Sequence, residues 1–159
     1  MHPFTALFLL ALLLATAVRL YLAARHVRYV HAHRAQVPGA FAEAISLEAH
    51  QKAADYTVIK TRFGIIAILV EVLMLLALTF GGGLDLADRI VSALFEPGIA
   101  RGVALIALVA IALSVIDLPL SLYRTFRIEE RFGFNKMTLK LFVLDLAKRA
   151  VLAGLLALP

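Results

Sequence analysis

Three groups of residues in this chain carry side chains able to do chemistry. The first is Glu129-Glu130-Arg131-Phe132-Gly133-Phe134-Asn135. Paired acids serve general acid–base catalysis when both reach one substrate atom. Neighbours on a helix point in different directions, so Glu129 and Glu130 are poorly placed to share one. Ion pairing suits them better, and Glu129, Glu130, Arg131 and Asn135 are candidate contacts to another domain. Gly133 would permit a tight bend, Phe132 and Phe134 would anchor it, and Asn135 would N-cap the next helix.

The second group is Glu71 and Asp117, two acids inside apolar runs. A charge at the bilayer centre costs about 2.5–3.5 kcal/mol on insertion scales. Glu71 should therefore face protein or water, or be protonated. Two readings stand for it: a polar lining of an internal chamber, or a structural hydrogen bond to a neighbouring span. Asp117 lies near the end of its run, where a charge is cheaper, and would cap a helix or pair with Arg124.

The third group is the histidines. His26, His31 and His33 form the densest cluster, and His26 and His33 share a helical face. No carboxylate or Cys lies close by to complete a metal site, and Arg25, Arg28 and Arg34 surround them. A solvated basic interface is the favoured reading over a metal or pH-sensing patch. A zincin protease needs His-Glu-x-x-His on one helix, with two ligands on one face and a Glu to polarise water. None of the five histidines is followed by Glu or has a second His four residues later. No catalytic and no metal-ligating residue is assigned.

The elements that must position these groups are membrane helices. The chain has 159 residues, 62% hydrophobic, with a net charge of +5. Its mean hydropathy of +0.91 is too high for a soluble domain of this size. The apolar residues come in blocks with bases beside them, which fits positive-inside anchoring and argues against nucleic acid as a partner. Cysteine is absent, so there is no disulfide framework or thiol nucleophile.

The pattern predicts an all-α, multi-span transmembrane helical bundle that is a truncated part of a larger protein. The 1–159 stretch reads as one N-terminal transmembrane domain with spans over about 4–24, 64–80 and 102–122. Arg19 interrupts the first span and would snorkel to the inner interface. The first run lacks preceding bases and is followed by Arg25, Arg28 and Arg34. An uncleaved span with its N-terminus outside is therefore favoured over a signal peptide. Residues 40–80 read as one long helix projecting from the membrane before entering it near Gly64. Gly81-Gly82-Gly83 is a turn rather than a phosphate loop, since no Lys-Ser/Thr follows. Pro119 would kink or end the third span. Residues 137–149 read as an interfacial amphipathic helix and 150–159 as the start of a truncated fourth span. A chain stopping there is expected to be a fragment.

The stretch Pro119 to Thr138 resembles a signature of the type I CAAX prenyl proteases, which are integral-membrane zinc endopeptidases. The resemblance lies in Ser121-Leu122-Tyr123-Arg124-Thr125-Phe126-Arg127-Ile128-Glu129-Glu130-Arg131-Phe132-Gly133-Phe134-Asn135. His50 to Tyr56 with Lys60-Thr61-Arg62-Phe63-Gly64 is similar to the family's helix before its second span, and Asp145 with Lys148 to its D-x-x-K pattern. The resemblance implies the non-catalytic N-terminal membrane portion of such an enzyme, helping to form an intramembrane chamber and to support a later zinc site. It implies zinc in the parent enzyme, with ligands outside this chain. The implied partners are the lipid bilayer, the C-terminal catalytic part and a peptide or protein substrate. The implied location is the bacterial inner membrane, or the ER membrane if the source is eukaryotic. Two alternatives remain: a complete small membrane protein acting as a binding or regulatory partner, and half of a transporter lined by Glu71 and Asp117. The second has little support, because the chain has no internal repeat.

Overall fold

A computed structural model describes residues 2–157. Five helices, no strand among the described residues, make up the chain: α1 (Pro3–Ala32), α2 (Leu47–Thr79), α3 (Gly83–Ser92), α4 (Ile99–Tyr123) and α5 (Leu139–Ala157). A 3₁₀ turn (Gly39–Phe41) precedes α2, and a π-helical segment (Arg124–Glu129) prolongs α4. Three stretches are long and apolar enough to cross a membrane: α1, α2, and α4 with its prolongation to Glu129. None of their apolar windows is buried within the chain, which is how lipid-facing or partner-facing helices look.

Two compact units divide the chain at residues 76 and 77. In the first, α1 begins with Pro3 at its first position, where a missing N–H costs nothing, and His2 accepts from the Phe4 amide at 3.3 Å. Two polar clasps join α1 and the turn after it to α2. The Arg34 guanidinium donates to both Asp55 carboxylate oxygens at 2.6 and 2.8 Å, and this bond raises the Arg34 pKa further above its already basic value. The second clasp is Arg19 to Glu71 at 3.0 Å. Arg19 lies 15 residues before Arg34, and Glu71 lies 16 after Asp55. That is about 22–24 Å of rise on each helix, so α1 and α2 run antiparallel in matched register. Near the first clasp, His50 contacts the His33 carbonyl at 3.1 Å through Nε2. The expected continuous helix from residue 40 begins only at Leu47. The Pro38-Gly39 pair sets a tight turn instead, and the Ser46 hydroxyl accepts from the Ala49 amide to start α2.

The second unit opens at the glycine turn. Gly82 has φ +76°, and a Cβ at Gly81 would lie 2.7 Å from the Ala77 carbonyl oxygen, so both positions require glycine. The amphipathic α3 buries Ala87 and Val91 and pairs Asp88 with Arg101 of α4 at 2.7 Å. Pro119 neither ends nor divides α4. The helix continues past it and widens into π winding five residues on. The helix 139–157 is continuous across Arg149 and Ala150, and the last two residues of the 150–159 segment lie outside the described residues.

Candidate functional site

The joint between α4 and α5 concentrates the chain's irregular backbone. Arg124 to Glu129 is wound as a π-helix, which is rare and is found mostly where a helix carries function. Ile128 and Phe132, four residues apart on one face, are 3% and 7% exposed and anchor the joint. Phe126 reaches across to α5 and meets Phe142 edge-to-face at 5.8 Å between ring centroids.

The winding ends in a Schellman motif. Gly133 has φ +75°, its amide donates to the Glu130 carbonyl at 3.0 Å, and the Phe134 amide donates to the Glu129 carbonyl at 2.9 Å. Gly133→Ala is expected to cost about 1–2 kcal/mol, because a Cβ is disfavoured in this left-handed conformation. Gly133→Asn should cost less. Thermal midpoints of the two variants, compared with the parent, check the ranking.

The candidate contact residues sit around this motif. Glu130 accepts a hydrogen bond from the Asn135 amide nitrogen at 2.7 Å, and Glu129 lines a small pocket of about 400 Å³ with Phe134, Asn135 and Asp145. Arg131 is exposed and lies over the Phe132 ring, 5.8 Å from its centroid. Asn135 does not cap α5 as its position suggests. Its Oδ1 accepts from the Met137 amide at 2.7 Å, closing a local turn, and the Thr138 hydroxyl accepts from the Leu141 amide at the helix start. Three residues separate Asn135 from that start, too many for its short side chain to bridge. Glu129 and Glu130 thus hold backbone and side-chain roles in the bend.

Asp117 lines a cleft of about 1000 Å³ between α4 and α5. The wall is mostly apolar from Val103 to Val115, and Asp117, Arg124, Thr125, Asp145 and Arg149 add polar groups to the lining. The expected Asp117–Arg124 pair is not formed among the described residues; both side chains line the cleft instead. They lie seven residues apart, near 10 Å along the helix axis, roughly two turns apart.

Glu71 belongs to the first unit. Its partner is Arg19, the residue expected to snorkel to the inner interface. A clue was present: each of these two apolar runs carries a single charge, and the charges are opposite. The pair is not enclosed by this chain, with Arg19 and Glu71 side chains 51% and 64% exposed. A membrane protein leaves such a pair facing lipid at high cost, so this face calls for covering protein or water.

Among the described residues, no three His, Asp or Glu side chains gather as a metal site. The histidines present do not fit a zincin centre: His50 contacts the His33 backbone, and His33 stacks on Tyr29 at 4.2 Å.

Comparison with known proteins gives a consistent picture. The model of the family described as CAAX prenyl protease N-terminal, five membrane helices, matches residues 26–159. A CAAX prenyl protease 1 homolog of Arabidopsis thaliana is 32% identical over 130 residues, covering 77% of this chain and 31% of that protein. A homolog from Caenorhabditis elegans is 29% identical over 151 residues, covering 92% of this chain and 33% of that protein. A probable CAAX prenyl protease 1 of Schizosaccharomyces pombe is 60% identical over 42 residues, 26% of this chain and 9% of that protein. In fold, the chain superposes on the crystal structure of S. mikatae Ste24p with a TM-score of 0.89. The sequences are 23% identical, and the match covers 98% of this chain and 37% of that one. The chain thus spans a third or less of the curated relatives it matches.

Proposed function

We infer the function of this chain from one premise: it belongs to the CAAX prenyl protease N-terminal family. It is an all-helical integral membrane protein. From there we propose that it is the non-catalytic membrane portion of a zinc-dependent CAAX-type endopeptidase. Its spans help form an intramembrane chamber, and its joint supports a zinc site carried by residues beyond this sequence. The observation that carries the reading is the family match over 26–159, which includes the whole of the ordered Arg124–Asn135 joint.

The residues of this chain do not fit the zinc that the family implies, so no chemical step is assigned to them. Their roles are positional. Glu129, Glu130, Arg131 and Asn135 offer charge and hydrogen bonds at a bend fixed by the Schellman motif, a suitable face for the catalytic part of the same protein. Glu71 with Arg19, and Asp117 at the cleft, supply polar groups at membrane depth that suit the lining of a chamber. The substrate would be a peptide or protein. The bases Arg25, Arg28 and Arg34 after the first span support an N-terminus outside the inner membrane, or the ER membrane in a eukaryote.

Metal analysis tests this reading. The full-length gene product should carry zinc in equimolar amount, and its loss to a chelator should abolish peptidase activity. A polypeptide of residues 1–159 alone should carry none. Stoichiometric zinc on residues 1–159 would contradict the assignment.

A further inference from the structure

We propose that the cleft between α4 and α5 binds an anionic glycerophospholipid, with an acyl chain along its apolar wall and the headgroup on the basic rim of the joint. Two independent observations lead there. The first is the wall. Val103, Ile106, Ala110, Ile111 and Val115 line an apolar strip interrupted only by Ser114, whose hydroxyl donates to the Ala110 carbonyl at 2.8 Å. Val103 and Val115 are 12 residues apart, about 18 Å of helix rise against about 15 Å for half the hydrocarbon core. One acyl chain therefore fits within the strip.

The second observation is charge. Arg124, Arg127, Lys136, Lys140, Lys148 and Arg149 are all exposed, on the joint and on the α5 helix that follows it. None of the six joins an ion pair among the described residues. Asp117 and Asp145 also line the cleft and balance Arg124 and Arg149 there. Glu129 and Glu130 of the joint offset Arg127 and Arg131, so the surplus positive charge lies at Lys136, Lys140 and Lys148. A zwitterionic headgroup gains little from such a rim, whereas an anionic one gains from each cation near the surface. This proposal rests on the cleft and its rim and is independent of the protease reading.

The test uses the full-length gene product, reconstituted in phosphatidylcholine with and without phosphatidylglycerol. Retained lipid is counted by native mass spectrometry. Phosphatidylglycerol should be retained over phosphatidylcholine by at least about tenfold. The Lys136→Gln/Lys140→Gln/Lys148→Gln variant should lose that preference, and the corresponding Lys→Arg variant should keep it. If the Gln variant fails to fold, the preference of the parent protein should fall as salt rises. Equal retention of the two lipids, a preference surviving in the Gln variant, or a salt-independent preference would overturn the proposal. Displacement by inorganic phosphate alone would overturn the assignment to a membrane lipid. An absence of retained lipid would do the same and would point to protein filling the cleft.

Discussion

Arg19→Leu is expected to destabilise the membrane-embedded protein by about 3 kcal/mol, the scale for an unpaired charge at membrane depth. The substitution leaves the Glu71 carboxylate without the guanidinium 3.0 Å away. The acid must then neutralise or pull water toward itself, and either response weakens the register of α1 against α2. Glu71→Leu should cost a similar amount by stranding Arg19, although the longer Arg side chain reaches an interface more readily. The double variant Arg19→Leu/Glu71→Leu should recover most of the loss, because two apolar groups replace a desolvated pair. Unfolding of the full-length protein in bilayer or bicelle, with all four members of the cycle, reads the coupling directly. If the three variants lie within about 0.5 kcal/mol of the parent, the pair is only a surface contact.

Phe132→Ala is the second large effect. Phe132 is buried beside Ile128 at the end of the π-helical segment, just before the Gly133 bend. Truncation should cost about 3–5 kcal/mol, the usual range for removing a buried aromatic ring. Phe132→Leu should cost under about 1.5 kcal/mol, since it keeps most of the volume. The joint also orients Glu130 and Asn135, which are hydrogen-bonded to each other. Peptidase activity of the full-length protein should therefore fall with Phe132→Ala at temperatures where it stays folded, and be largely kept with Phe132→Leu. A stability loss without any change in activity would confine Phe132 to packing.

Much of the fold is legible in the residues. Three apolar runs of span length give three long apolar helices, because the bilayer core sets both their length and their composition. The Gly81-Gly82-Gly83 turn is equally plain, since only glycine meets its positive φ and close approach. Gly133 as a bend was readable for the same reason. The π winding at Arg124–Glu129 was not. Ile128 is buried and Phe126 meets Phe142 within it, but no local residue type dictates the winding. Asn135 as a helix cap failed because sequence gives the preference for capping but not the helix start, which the Thr138 hydroxyl takes. The partner of Glu71 was hidden because pairing between spans depends on helix register, and the register is fixed by Arg34 and Asp55 some 22–24 Å away.

The most direct test of the central claim is complementation between two polypeptides. Residues 1–159 and the remainder of the gene product are expressed separately and together in membranes, and cleavage of a CAAX-type peptide is followed. Activity is expected only when both are present, and it should vanish when a chelator removes zinc. Zinc-dependent cleavage by residues 1–159 alone, or full activity of the remainder without them, would contradict a supporting, non-catalytic role.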